Sequence, residues 1–421
     1  MKKRKPRAEG TVERGHVIRL DPTCKQAHAF ACACGVARQA FNWGLAEWQR
    51  QYKAGLKPTA DKLKKQYNAI KGEQFPWVYD SPKDANQQAF TDLGTDFSNF
   101  FSSCKGERKG KRVGYPKFKK KGVHDSFYVS NEKFEVRARG KRGVVRLPVI
   151  GDVRMREQLR FQGKILSARV SRQADEWYIS IQVETDAGVP WAHKYASVGV
   201  DLGIKTAVVP SHGKDEDAPK PLKAALAKLR RTNRKLRRRH GVENHRKTRI
   251  ARAKLYLRIA NVRKDFLHKV TTKIVRENQT VVIEDLNVAG MARNHRLARA
   301  LSDVGMGMFR EFMTYKAPVY GTELVVASRW FPSTKRCSRC GHVNAEMPLS
   351  ERIFRCEECG YVELRDKNAS YNLEQYPGLP GNWGPPARTP TDTRASTALT
   401  ATSASAVVEV GTKPCSLVST L

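Results

Sequence analysis

Four cysteines near the C-terminal end of the chain constrain its fold more than any other feature of the sequence. They follow the spacing C-x2-C-x15-C-x2-C, and a glycine follows each pair, in CSRCG and CEECG. Four thiolates at this spacing are typical of a zinc ribbon, whose closed ligand set leaves no position for water. We therefore predict a structural Zn²⁺ site with four ligands: Cys337, Cys340, Cys356 and Cys359.

The chain is strongly basic. Its 421 residues include 78 lysines and arginines but only 41 acidic residues, which gives a net charge of +37. About half of this excess lies in residues 220–276, where leucines recur at helical spacing with a break at His240-Gly241. Because like charges at this density repel one another, we predict a basic helical hairpin that binds a nucleic acid. The candidate contacts on it are Arg230, Arg234, Arg237 and Arg238.

Three carboxylates stand where the sequence predicts strands or the start of a helix. Asp201 lies in the apolar run VGVDLGIKTAVV, Glu284 follows the run TVVI, and Asp366 lies in LRDKNASYNL after the second cysteine pair. Carboxylates that are buried together repel one another and take up protons unless a divalent cation neutralises them. We therefore expect these three to converge on Mg²⁺ or Mn²⁺, which would support phosphodiester cleavage.

The N-terminal half combines strands with amphipathic helices. A predicted strand at 11–20 precedes helices at about 30–52 and 82–103, and short alternating runs from SFYVS to EWYISIQVE follow. The even spacing of these runs predicts a small antiparallel barrel, which the helical unit splits because one strand lies before it. The intervening loop KGERKGKRVGYPKFKKK is basic and aromatic, as in surfaces that bind phosphates and bases. Its candidate contacts are Tyr115, Lys117, Lys119 and Lys120.

Three motifs together resemble the TnpB proteins of bacterial insertion sequences, which are relatives of the type V CRISPR effector nucleases. They are GVDLGIKTAVV, VVIEDLNVAGM and STKRCSRCG…FRCEECG…LRDKNASYNL, and the resemblance extends to about residue 376. It implies an α+β multidomain fold, in which an RNase H-like RuvC nuclease domain with an inserted zinc ribbon accompanies a split wedge β-barrel and a helical recognition unit. The implied boundaries are 1–24 and 105–190 for the wedge barrel, 25–104 for the recognition unit, 191–332 and 362–376 for the RuvC domain and 333–361 for the zinc ribbon. After Tyr376 the composition changes to Pro, Gly, Ser, Thr and Ala, which predicts a disordered tail over 377–421.

The resemblance also implies an activity, which is RNA-guided endonuclease cleavage of double-stranded DNA. Family members bind a structured RNA transcribed from the transposon end, and its guide segment pairs with DNA beside a short flanking motif, so that one RuvC site cuts both strands. By that likeness Asp201, Glu284 and Asp366 are the catalytic ligands of magnesium. Lys83 and Gln87 lie at positions similar to those that the family uses near the flanking motif, and a side-chain amide can pair with adenine.

Other functions stay open at this point. An acidic-triad transposase shares the RNase H-like fold, although it does not need a zinc ribbon before its third carboxylate. A histidine-paired transposase is disfavoured because none of the ten histidines forms an H-x-H pair. A non-cleaving RNA-guided repressor would be expected to lack at least one of the acids. The protein sequence does not separate a transposon nuclease from a compact CRISPR effector with an array-derived guide, because the guide is encoded elsewhere.

The sequence also bears on location. No run is long and apolar enough to span a membrane, and the start MKKRKPRAEG lacks the apolar core of a secretory signal. The five cysteines outside the ribbon are scattered, which does not suggest disulfide bonds. We therefore expect a cytoplasmic protein of a bacterium or archaeon, associated with the nucleoid when it targets DNA.

Overall fold

The structure, a computed structural model, describes residues 10–108, 111–186, 191–238, 241–348 and 350–380. Within these ranges the chain divides near residue 187 into two units. The predicted tail lies outside the described residues from residue 381 onwards, and so do residues 1–9 of the predicted first barrel segment.

An antiparallel sheet of seven strands forms the framework of the first unit. Its strands are β1 Thr11–Asp21, β2 Ser126–Ser130, β3 Glu135–Arg139, β4 Arg142–Leu147, β5 Gly151–Met155, β6 Lys164–Gln173 and β7 Glu176–Asp186. The strand order is β2-β6-β7-β1-β5-β4-β3. Along β7 every second side chain from Trp177 to Thr185 is buried, as the alternation of apolar and polar residues predicts. The first strand therefore pairs with strands that follow it by more than a hundred residues.

Three helices lie between β1 and β2 in the sequence: α1 Cys24–Lys53, α2 Ala60–Gln74 and α3 Asp84–Cys104. Helix α1 begins with a capping box, in which Thr23 and Gln26 exchange side-chain to backbone hydrogen bonds of 3.3 and 3.0 Å. The aromatic face predicted for α3 is buried, and Phe90 and Phe97 pack with Tyr67 of α2. The sequence did not indicate α2, because only three of its 15 residues are buried.

A mostly parallel sheet of four strands forms the framework of the second unit. Its strands are β8 Tyr195–Asp201, β9 Val209–Pro210, β10 Asn278–Glu284 and β11 Glu323–Ala327, in the order β11-β10-β8-β9. Strands β8, β10 and β11 are parallel, and β9 is antiparallel to β8. The apolar run of β10 is buried, as expected of a central parallel strand that is covered on both faces.

Helices surround this sheet: α4 Pro221–Arg238, α5 Val242–Glu277, α6 Val288–Met291, α7 His295–Val304, α8 Met306–Tyr320 and α9 Arg365–Gln375. Helices α4 and α5 form the predicted basic hairpin. Of the two residues at the predicted break, Gly241 immediately precedes α5 and His240 lies outside the described residues. A small hairpin of β12 Ile353–Arg355 and β13 Val362–Leu364 lies in the cysteine-rich segment before α9. Among the described residues, no helix combines the length and apolarity needed to cross a bilayer.

Candidate active site and metal centre

Two of the predicted carboxylates end neighbouring parallel strands. Asp201 is the last residue of β8, and Glu284 is the last residue of β10. The register pairs Val200 with Ile283, so the two acids occupy equivalent positions one residue further along. Residues in register on adjacent strands point to the same face of a sheet, and Asp201 is only 8% exposed. The two carboxylates therefore lie side by side at one buried end of the sheet.

Asp366 approaches the same end of the sheet from the first turn of α9, which packs directly on β8. This packing depends on Gly199 in the middle of β8. A Cβ atom at that position would lie 2.0 Å from the carbonyl oxygen of Ser370 and 2.3 Å from the backbone nitrogen of Glu374. Only glycine permits so close an approach of two backbones. The glycine of the VGVD motif thus places α9 beside Asp201.

The electrostatics of Asp201 reflect this convergence. Burial raises its pKa to about 8, and the negative charges of Glu284 and Asp366 add to the effect. Burial also raises the pKa of Glu284, against the effect of a hydrogen bond from Ser333. Desolvated carboxylates that oppose one another's ionisation favour a divalent cation, which neutralises them and binds to oxygen ligands. The residues at this end of the sheet therefore fit Mg²⁺ or Mn²⁺.

Polar partners hold two of the three carboxylates. The hydroxyl of Ser333 donates to Oε1 of Glu284, and the Arg365 guanidinium donates to Oδ1 of Asp366 at 3.1 and 3.2 Å. Arg352 lies 3.7 Å from Oδ2 of Asp366. We considered groups of three or more His, Cys, Asp or Glu side chains whose ligand atoms all lie within 4.8 Å of one another. Among the described residues, the four cysteines are the only such group. The carboxylates therefore converge more loosely than the cysteines do.

The four cysteines form a compact cage. Cys337 Sγ lies 3.7 Å from Cys359 Sγ, and Cys340 Sγ lies 3.6 Å from Cys356 Sγ. The glycine after each pair has a positive φ, 84° and 68°, and donates its N–H to the carbonyl of the first cysteine at 3.0 and 3.2 Å. Each cysteine pair therefore lies on a tight turn that glycine allows. Four thiols in this arrangement fit the closed Zn²⁺ site that the spacing predicts.

Most of the predicted nucleic-acid contacts are accessible to solvent. Eight are exposed: Lys83, Lys117, Lys119, Lys120, Arg230, Arg234, Arg237 and Arg238. Gln87 is half-buried in the first turns of α3. The four arginines lie on α4, which packs against α5. Their role in binding stays a prediction.

Two predicted contacts lie against aromatic rings of the first unit. The ring of Tyr115 packs edge-on against Phe97 and Phe100, with 5.4 Å between ring centroids in each pair. Lys119 is exposed as a whole residue, but its ammonium group lies 3.8 Å from the centre of the Phe41 ring. Both side chains therefore pack against aromatic rings, and their role in binding a nucleic acid stays a prediction. An irregular segment has no periodicity, so the sequence did not reveal which side chains turn inward.

Sequence reasoning missed the partners of the carboxylates. Arg365 immediately precedes Asp366, and this adjacency was a signal that could have been used. Ser333 is 49 residues from Glu284 in the sequence. No local pattern indicates a hydrogen bond between residues so far apart.

Comparisons with known proteins bear on this site. A family model described as a probable transposase matches residues 179–295, and one described as a Cas12f1-like TNB domain matches residues 307–373. A third model, described as a helix-turn-helix domain, matches residues 12–57. In that segment the structure has the strand β1 followed by the single uninterrupted helix α1.

Two relatives match most of the chain. The chain is 34% identical over 370 residues to a protein of Streptomyces pristinaespiralis that is named as a candidate RNA-guided DNA endonuclease, with 86% of this chain and 89% of the relative covered. It is 32% identical over 380 residues to InsQ of Escherichia coli K12, which is named in the same way, with 85% and 90% covered. The chain belongs to the TnpB family. The family predicted from the sequence motifs is thereby confirmed.

The fold of this TnpB protein is similar to that of a Cas12f1 effector. The cryo-EM structure of a Cas12f1–sgRNA–target DNA complex matches it with a TM-score of 0.54 and 13% sequence identity. The match covers 87% of this chain and 99% of that chain. At this level of identity the likeness is one of fold, and it agrees with the predicted α+β class.

Proposed function

We propose that the protein is an RNA-guided DNA endonuclease of an insertion sequence, and that Asp201, Glu284 and Asp366 form its single catalytic site. The observation that carries this proposal is the convergence of three carboxylates at one buried end of the sheet, where the pKa of Asp201 is raised to about 8. Burying acids that repel one another opposes folding unless a cation compensates. Membership in the TnpB family and the names of the two relatives support the RNA-guided part of the proposal.

The carboxylates and their partners have distinct roles in the proposed site. Asp201 and Glu284 project from paired strands, so their backbones are held rigidly, and Asp366 closes the site from α9. The oxygens of these three carboxylates would hold Mg²⁺ or Mn²⁺, which would supply activation of water and stabilisation of the leaving oxygen of the phosphodiester. Arg365 balances the charge of Asp366 and keeps its carboxylate oriented, since two of its nitrogens contact the same oxygen.

We also propose how the rest of the chain serves this activity. The second unit is a RuvC-type nuclease domain, and the segment that carries the cysteines is a zinc ribbon inserted between β11 and α9. The sheet of the first unit is the wedge, and its inserted helices are the recognition unit, with Lys83 and Gln87 near the flanking DNA motif. The exposed arginines of α4 hold the RNA backbone by charge, while base pairing supplies specificity.

A plasmid cleavage assay tests the proposed site. The protein is purified with its RNA and incubated with matched plasmid and Mg²⁺, as wild type and as the Asp201→Asn variant. Since a metal ligand stabilises the transition state by several kcal/mol, we expect Asp201→Asn to slow cleavage by at least about 100-fold. Glu323→Gln is the matched control, because Glu323 is an exposed acid at the opposite end of the same sheet. Wild-type cleavage by Asp201→Asn would exclude the assigned site.

The origin of the guide separates the transposon nuclease from a CRISPR effector. Sequencing the RNA that copurifies with the protein identifies its source. A transcript that extends from the end of the insertion sequence into flanking DNA is expected. A guide flanked by CRISPR repeats would instead support the compact effector.

A further inference from the structure

A buried hydroxyl contacts Glu284 from the segment that leads into the cysteine cage. Ser333 is 4% exposed, and its Oγ donates to Oε1 of Glu284. The described residues offer no hydrogen bond to the other oxygen, Oε2. A glutamate side chain has three rotatable bonds, and a single hydrogen bond to one oxygen restricts them while leaving the second oxygen for a ligand.

Ser333 is itself held by Asn372 of α9, the helix that carries Asp366. Asn372 is fully buried, and its Nδ2 donates to the carbonyls of Ser333 at 2.8 Å and Arg336 at 2.6 Å. Its Oδ1 accepts a hydrogen bond from the Arg336 guanidinium at 2.8 Å. Only an amide side chain satisfies two carbonyls and one guanidinium at once, because a carboxylate has no donor. Asn372 therefore fixes residues 333–336 against α9.

The same segment continues directly into the first cysteine pair. Asn368, one turn before Asn372, is also fully buried. Its Nδ2 donates to the Arg336 carbonyl at 2.7 Å, and its Oδ1 accepts from the Ser338 N–H at 3.0 Å. Cys337 lies between these two residues and is 0% exposed. One face of α9 is thus hydrogen-bonded to the turn that carries the first cysteine pair, and the first turn of the same helix carries Asp366.

We propose that Ser333 and Asn372 are positioning residues that orient Glu284 relative to Asp366, so that both carboxylates ligate the same cation. The inference rests on the proposed nuclease function. It adds that the cysteine cage, which performs no hydrolysis, sets the catalytic geometry through residues 333–336. The physical reason is that Glu284 and Asp366 lie on separate elements, and this hydrogen-bonded segment connects them.

The decisive measurement is the affinity of the RNA complex for Mn²⁺, read from the electron paramagnetic resonance signal of the unbound ion. Loss of a partner that orients a metal ligand typically lowers metal affinity by about 10- to 100-fold. We expect a loss of this size in Ser333→Ala, with DNA binding and zinc content unchanged. Excess Mn²⁺ should restore much of its cleavage rate, which would not happen if the variant were merely misfolded. Ser333→Thr retains the hydroxyl and should keep most of the affinity.

Thr334→Ala is the matched control, since Thr334 is the neighbouring hydroxyl and is exposed. Wild-type Mn²⁺ affinity in Ser333→Ala would overturn the inference, and so would an affinity loss that Ser333→Thr shares in full. Different results would contradict the two proposals. DNA cleavage by Asp201→Asn would contradict the proposed function. An inactive Asp201→Asn variant together with wild-type Mn²⁺ affinity in Ser333→Ala would contradict only the positioning role.

Discussion

The cysteine cage and the carboxylate cluster both belong to the second unit, but the chain assembles them in different ways. The cage draws its four ligands from residues 337–359, and two tight turns bring their thiols within 4.8 Å of one another. The carboxylates come from residues 201–366, and two parallel strands and a helix are needed to bring them to one place. A structural metal site can thus be specified locally, whereas the candidate catalytic site depends on the whole sheet.

The two sites also differ in how their charges are balanced. The cage is a closed set of four soft ligands, which suits a metal that does no hydrolysis. At the cluster, Ser333 and Arg365 contact carboxylates whose oxygens are the hard ligands that Mg²⁺ prefers. Looser convergence leaves room for water and phosphate beside a cation. The tighter geometry of the cage therefore fits a structural metal, whereas the looser geometry of the cluster fits a catalytic one.

Breaking the cage should have the largest effect on stability. Zinc binding contributes about 10 kcal/mol or more to the folding of isolated zinc domains, so Cys356→Ser should lower both zinc content and the free energy of unfolding markedly. Because α9 carries Asp366 and is hydrogen-bonded to the segment of the cage, the rate of DNA cleavage should fall as well. Metal analysis and thermal unfolding measure these effects, with Cys24→Ser as a control, since Cys24 is exposed and lies outside the cage. Full zinc occupancy in Cys356→Ser would contradict the proposed ligand set.

The carboxylate cluster should make stability depend on pH in Mg²⁺-free buffer. The pKa of Asp201 is about 8 in the folded protein, against an ordinary value of 3.8. Between these values the unfolded chain releases a proton that the folded protein keeps. Stability is therefore highest below about pH 4 as far as Asp201 is concerned, and it falls by several kcal/mol as pH rises to about 8.

Urea unfolding at a series of pH values measures this dependence. Asp201→Asn should flatten the profile and be more stable than wild type at pH 8, although it should not cut DNA. Added Mg²⁺ should reduce the loss of stability at high pH in the wild type but not in Asp201→Asn. Identical pH profiles for the two proteins would show that Asp201 is not buried among other acids.

The contact between β8 and α9 should give the smallest of these effects, and it separates the two sites because β8 and α9 carry Asp201 and Asp366 but no ligand of the cage. In Gly199→Ala the new methyl group would overlap backbone atoms of α9, so we expect a loss of roughly 1–3 kcal/mol in the free energy of unfolding. Displacing α9 also moves Asp366, and cleavage should fall while zinc stays bound. Gly307→Ala is the control, because Gly307 is an exposed helical residue with no atom near the added methyl. Equal stability and activity in both variants would argue against close packing at Gly199.

Several parts of the fold follow patterns that can be read along the chain. The apolar run before Glu284 is the buried strand β10, and the leucine spacing of residues 220–276 becomes the hairpin of α4 and α5. Helix α2 was missed because it buries few side chains. The sequence did not indicate that the ring of Tyr115 packs on Phe97, since no pattern shows which side of a loop turns inward.

The sequence motifs predicted the ligands of both candidate sites. These are four thiols at ligand spacing, and three acids that lie inside a predicted strand, at the end of another and at the start of a helix. The sequence also determined the family, because those motifs occur together. Three contacts became visible only in the folded chain: Ser333 with Glu284, Asn372 with the segment before the cage, and α9 with β8 at Gly199. This is because the spacing of residue types along the sequence indicates only contacts within a turn, a helix or a strand. Contacts between residues far apart in the chain depend on strand register and helix packing, which leave no periodic trace in the sequence.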